Sequence, residues 1–214
     1  MEPFHVEQLR RVLAEGAAEL QLTLDPAALE RFEKLAVLLD RWSQRINLTG
    51  HRGAIEIAER LLLEAAALSQ VLPAADSIAD LGSGAGVPGL PLAICRPHCE
   101  VRLIESRERR HHFQRAAIRE LGLSNAVALL GRAEQLPVQP SDGVIAQAMA
   151  APDQALSWMR PWAAPGVWLA LPSVPGIAVR HPDLQSGRAL RYAAPRGPER
   201  AVWVARLRGS GPGA

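Results

Sequence analysis

The stretch Ser77 to Pro91, S-I-A-D-L-G-S-G-A-G-V-P-G-L-P, constrains this chain more than any other. A short apolar run, Ile78 to Leu81, ends in glycines at 82, 84, 86 and 89, and aliphatic residues with helical potential follow at once. The order is strand, tight turn, helix. Glycine at such positions allows positive φ and lets a ligand approach where a Cβ would stand in the way. The first helical turn leaves amide N–H groups unpaired, so the loop is a cradle for a nucleotide-like ligand.

Gly84, Gly86 and Gly89 also satisfy the dinucleotide pattern G-x-G-x-x-G, so the glycines alone admit NAD. Asp80 separates the readings. A carboxylate two residues before the first glycine is expected at the strand's C-terminal end, beside the ligand, where it repels a pyrophosphate and suits a cation. S-adenosylmethionine carries an ammonium and a sulfonium and has no phosphate, so it fits better. A second anchor, Glu105, closes the strand-like run Val101 to Ile104, near the roughly 20-residue offset at which an acidic residue takes a ribose diol. Ribose occurs in both cofactors, so Glu105 supports a nucleoside without choosing between them.

The 214 residues suffice for one α/β domain with an appendage, and the 48% apolar fraction supports a real core. No apolar run is long enough to span a membrane, and the N-terminus lacks a basic segment followed by an apolar one, so a cytoplasmic location is expected. Cys95 and Cys99 stand without a second pair and cannot complete a four-ligand zinc site. The net charge of +2 is mild, with Lys34 the sole lysine, and does not by itself imply RNA binding.

Residues 5 to 21 carry apolar positions at helical spacing, and Asp25-Pro26 supplies an N-cap with proline in the first turn of a second helix running through Leu29, Phe32, Leu35, Leu39, Trp42 and Ile46. A third helical pattern runs from Ile55 to Pro73. From Ser77 the rhythm becomes strand, helix, strand: strands are expected at 77–81, 100–105, 126–130, 143–148 and 166–171, with helices near 87–95, 107–121 and 152–163. Such alternation implies a mostly parallel sheet with ligands at its C-terminal edge. Arg188 to Ala193 and Ala201 to Leu207 fit a closing antiparallel hairpin. The division expected is a helical N-terminal extension over 1–75, a Rossmann-like domain over 76–208 and a disordered tail over 209–214.

Arg107, Arg109, Arg110 and Arg115 could meet phosphates, although a charged run on a helix is more often its solvated face. His111 and His112 are adjacent, so they point about 100° apart and cannot share a metal. Gly131-Arg132-Ala133-Glu134, directly after the third strand, lies where folds of this type hold adenine. Trp158, Trp162, Trp168 and Trp203 read as core.

With these pieces in order, the chain resembles the bacterial 16S ribosomal RNA guanine-N7 methyltransferases of the RsmG or GidB family. The matching segments are I-N-L-T-G at 46–50, D-L-G-S-G-A-G-V-P-G-L-P-L-A-I at 80–94, E-S-R-E-R-R-H-H-F at 105–113, R-E-L-G-L at 119–123, G-R-A-E at 131–134 and G-P-E-R-A-V-W-V at 197–204. The resemblance implies a class I, S-adenosylmethionine-dependent Rossmann-like fold with a seven-stranded sheet. It also implies a substrate guanine in the decoding-region loop of 16S ribosomal RNA, free or in the small-subunit particle, and no membrane or DNA partner. Position by position it implies cofactor contacts at Gly82, Val87, Ala133, Glu134 and Gln147. The residues read as the cofactor site are these together with Asp80, Ser83, Gly84, Gly86, Glu105 and Ser106. No catalytic acid or base is expected among them.

Four departures stand out: Gln147 replaces the family's arginine, Leu61 and Glu64 replace a histidine and an aspartate, and Pro172 replaces a lysine. They favour, as an alternative, a homologue that binds the cofactor without transferring a methyl group. An NAD-dependent oxidoreductase is disfavoured by Asp80 and by the lack of a Tyr/Lys pair, since the sole tyrosine is Tyr192 and the sole lysine Lys34.

Overall fold

The structure is a computed structural model describing residues 3–147, 151–173, 182, 184, 185 and 187–208. The expected 209–214 tail and much of the segment between Pro172 and Arg188 lie outside the described residues. Two helices open the chain, α1 (Pro3–Glu19) and α2 (Pro26–Ser43). The start of α2 is set locally: the Asp25 carboxylate accepts from the Ala28 N–H at 2.6 Å, and Pro26 occupies the first turn. Its buried stripe of Phe32, Leu35, Ala36 and Leu39 is the apolar face read from the sequence. The third helix is α3 (Ala54–Ile57), a wider π-helical turn over Ala58–Leu62, and α4 (Leu63–Val71).

The remaining elements alternate: β1 (Ser77–Leu81), α5 (Gly89–Cys95), β2 (Glu100–Glu105), α6 (Glu108–Leu121), β3 (Ala126–Leu130), β4 (Ser141–Ala146), α7 (Pro152–Met159), β5 (Ala163–Ser173), β6 (Arg188–Ala193) and β7 (Glu199–Arg206). They form one seven-stranded sheet of order β3-β2-β1-β4-β5-β7-β6. The five strands β3, β2, β1, β4 and β5 are parallel neighbours, whereas β7 pairs antiparallel with both β5 and β6. The parallel sheet and closing hairpin match the sequence reading, with β4 beginning and ending two residues earlier than expected and β5 longer at both ends. Pro172 is tolerated because β4 pairs with β5 only as far as Ala170, while β7 continues opposite Pro172 through Val202.

Side chains alternate across β1, so Ile78 faces one hydrophobic cluster and Ala79 and Leu81 the other. The first cluster is continuous from α1 and α2 (Leu9, Leu13, Phe32, Leu35) to the sheet and its helices (Ile78, Leu90, Leu103, Phe113). The helical extension thus shares its core with the sheet; Trp42 meets Phe113 edge-on at 5.6 Å between ring centroids. No helix among the described residues is long and apolar enough to cross a membrane.

The strand order reverses direction at β1: the chain runs outward through β2 and β3, then returns to place β4 on the other side of β1. In open sheets of this kind the crevice outside the carboxyl ends at that reversal is where ligands bind. The glycine loop leaves β1 there.

Candidate cofactor site

The loop after β1 is held from several sides. Gly82, Gly84 and Gly86 have φ of 67°, 55° and 74°, the left-handed region that favours glycine. The Ser83 N–H and hydroxyl both donate to the Ile104 carbonyl of β2, at 3.1 and 3.3 Å. Glu105, buried at the end of β2, accepts from the Gly84 N–H at 2.9 Å and from the Arg107 N–H at 2.7 Å. From α6, the amide nitrogen of Gln114 donates to the Ser83 hydroxyl and to the Gly84 carbonyl, both at 2.9 Å. The strand ends and the loop are one hydrogen-bonded unit.

Beside this loop lies a cavity of about 300 Å³, the lower end of the range for small-molecule sites. The strand ends contribute Gly82, Ile104, Glu105 and Ser106 to its wall. Residues Gly131 to Glu134 line it after β3, where the Ala133 carbonyl accepts from the indole N–H of Trp162 at 3.0 Å. Arg107 and Arg110 at the start of α6 and Trp158 of α7 complete it. Three guanidiniums and two carboxylates therefore share one wall. Arg132 stands 3.8 Å from Glu134, whereas the Arg107 and Arg110 side chains have no acidic partner among the described residues.

Five residues read from the sequence as cofactor contacts, Gly82, Glu105, Ser106, Ala133 and Glu134, are brought together in this wall. Gly84, Gly86 and Val87 follow in the loop, outside the wall itself, and Ser83 is buried beneath it. Gln147, half-buried just past β4, is likewise not in the wall.

Asp80 corrects the sequence reading. The motif places it at the lip of the strand beside a ligand; it lies instead under the loop, 1% exposed, with its carboxylate accepting from the Gly89 N–H at 3.0 Å. The cause is the period-2 alternation of β1, which puts residue 80 on the same face as Ile78, beneath α5. A Cβ on residue 89 would fall 2.7 Å from the Asp80 oxygen, so glycine there lets the helix start rest on the carboxylate. Burial pushes the Asp80 carboxyl up to about 7, against the opposing Gly89 N–H, with the nearby Glu105 charge adding to the rise. The preference for a sulfonium over a pyrophosphate therefore cannot come from a charge at the lip.

Arg107, which is exposed, and Arg110, half-buried, border the cavity because the helix begins within three residues of Glu105. One further reading is revised. Trp158, expected in the core, is half-buried and lines the cavity, whereas Trp162, Trp168 and Trp203 are buried as expected. Of the four departures, Glu64 accepts from Arg200 of β7 at 3.1 Å, so that carboxylate ties α4 to the hairpin.

A seven-stranded sheet of this order, with its glycine loop and strand-end carboxylate at the point of reversal, is the architecture of the class I methyltransferases. Solved structures agree: an O-methyltransferase, TomG, from Streptomyces achromogenes in complex with SAM overlays with a TM-score of 0.55 at 18% identity, covering 98% of this chain and 100% of that one. A putative O-methyltransferase from Klebsiella pneumoniae gives 0.57 at 15% identity, covering 94% and 100%. At those identities the likeness is one of fold.

Sequence comparison narrows the class. Residues 28–173 match the GidB family, described as rRNA small subunit methyltransferase G. Relatives bearing the name ribosomal RNA small subunit methyltransferase G include those of Azoarcus sp., 42% identical over 64% of this chain and 65% of the relative, and of Pasteurella multocida, 37% identical over 71% and 72%. The chain belongs to the GidB, or RsmG, family of small-subunit ribosomal RNA methyltransferases, which use S-adenosylmethionine.

Proposed function

We propose that this chain transfers the methyl group of S-adenosylmethionine to N7 of a guanine in the decoding-region loop of 16S ribosomal RNA. Family membership over residues 28–173 carries the reading, and the cavity's chemistry supports it. Glu105 has two of its roughly four lone-pair sites taken by the Gly84 and Arg107 N–H groups, which leaves acceptors for a ribose diol. Ser106, Ala133 and Glu134 would border the adenine. The Gly82–Gly86 backbone and Val87 would hold the methionine part, with Gln147 at its far side. Asp80 acts through the loop, by seating α5, and has no contact of its own with the cofactor.

When bound, the cofactor supplies a methyl group on a sulfonium. Guanine N7 carries an exposed lone pair and no proton at neutral pH, so the attack requires no general base. What the protein contributes is alignment, which is worth up to roughly 7–11 kcal/mol in favourable cases. Arg107 and Arg110, whose side chains have no acidic partner among the described residues, are positioned to meet backbone phosphates next to the reacting base. Phosphate contacts fix register without reading sequence, which suits an enzyme whose target is presented in a folded RNA.

Gln147 in place of the family's arginine favours a second reading, a homologue that keeps cofactor binding and assists ribosome assembly without transfer. Mass mapping of 16S ribosomal RNA from strains with and without the gene separates them. Loss of one N7-methylguanine in the deletion strain, restored by the gene, is the expected result. An identical modification pattern in both strains overturns the transferase reading.

A further inference from the structure

Gln114 is a polar residue in an apolar place. It lies on α6 next to the buried Phe113 and is itself 0% exposed, and no motif in the sequence marks it. Its amide orientation follows from the partners. The Ser83 hydroxyl spends its proton on the Ile104 carbonyl, so toward Gln114 it can only accept, and the Gly84 carbonyl has no proton to give. Both contacts therefore need the NH₂ group, and the Gln114 oxygen is left buried with no donor. A buried acceptor without a partner is destabilising. The position holds a glutamine despite that cost.

What the glutamine secures is one peptide plane. The Gly84–Ala85 peptide is trans and planar, so its N–H points opposite to its carbonyl. With the Gly84 oxygen drawn down onto Gln114, the Ala85 N–H faces away from α6, and it has no hydrogen-bond partner among the described residues. Ala85 is half-buried, and no protein acceptor among the described residues competes for that N–H with a ligand lying on the loop. Glycine at 84 puts little steric restraint on rotation of this peptide, which without an anchor could turn its carbonyl outward.

We infer that Gln114 is a positioning residue: it pins the Gly84–Ala85 peptide so that the Ala85 N–H is presented to the α-carboxylate of the cofactor's methionine moiety. The inference rests on the loop being the cofactor cradle, and it does not involve the RNA. A carboxylate is the one anionic group of S-adenosylmethionine, and a fixed backbone donor gives it a charge-assisted hydrogen bond. An outward carbonyl at the same spot would repel it.

Two ligands test this on the intact protein by titration calorimetry. S-adenosylhomocysteine has the amino-acid carboxylate; 5′-methylthioadenosine keeps the nucleoside and sulfur and lacks that carboxylate. In Gln114→Met, which preserves length and removes both hydrogen bonds, S-adenosylhomocysteine should bind about tenfold more weakly while 5′-methylthioadenosine is unchanged. Gln114→Glu, with no amide protons, should show the same selectivity at neutral pH. Equal affinities for S-adenosylhomocysteine in wild type and variants would overturn the inference, as would parallel loss of both ligands, which marks general damage to the loop. The ratio of the two affinities is readable whatever the methyl acceptor proves to be.

Discussion

Replacing Asp80 by asparagine tests whether its carboxyl is held beneath the loop at a cost. The residue is 1% exposed, and burial raises its carboxyl from an ordinary 3.8 to about 7. Below pH 3.8 the group is protonated in the folded and unfolded chain alike, so it contributes no pH dependence. Above that, the unfolded chain releases the proton while the folded chain keeps it, and each pH unit favours unfolding by about 1.4 kcal/mol until the folded group itself ionises near 7. The whole penalty is about 4 kcal/mol, of which about 3 falls between about pH 5 and 8. The asparagine side chain would still offer an oxygen to the Gly89 N–H and cannot ionise, although its buried NH₂ adds a cost that does not vary with pH. Urea unfolding of both proteins at about pH 5, 6, 7 and 8 should show wild-type stability falling relative to Asp80→Asn by about 3 kcal/mol over that range. A difference constant to within about 1 kcal/mol would mean that Asp80 is solvated or already charged, and the buried-brace assignment would fail.

Glu105→Gln should weaken S-adenosylhomocysteine by about tenfold in calorimetry, because a charged acceptor for the ribose diol becomes a neutral one; unchanged affinity would remove Glu105 from the site. In the Arg107→Gln/Arg110→Gln double variant, RNA binding should depend less steeply on salt, by about 0.7 in the log–log slope for each single-stranded phosphate no longer neutralised. An unaltered slope in filter binding would return both arginines to the solvated face. Gly143→Ala should destabilise the fold by about 1–3 kcal/mol in thermal or urea unfolding, since its Cβ would meet the Trp168 ring at 2.1 Å across the β4–β5 pairing; a neutral result would mean that the ring has room to move.

Much of the site is legible in the chain because its information is local. The turn glycines at 82, 84 and 86 have the positive φ that their residue type announces, and Glu105 and Ala133-Glu134 stand at strand ends that apolar runs predict. The motif misplaces Asp80 although the needed signal is present: the alternation of β1 puts it on the face of Ile78, under the helix. Trp158 is harder to place, since an aromatic residue close to buried neighbours on α7 suits a core and a cavity wall equally until the packing of the helix is known.

The order of strand and helix, the glycine turn, the acidic strand end and the family's motifs follow from residues close in sequence, where backbone geometry and hydrophobic periodicity act over a few positions. Which arginines near the start of α6 reach the cavity, and the clasp of Gln114 on a loop some 30 residues earlier, depend on how β2 and α6 dock against that loop. Such contacts come from packing between distant segments, and no local pattern encodes them.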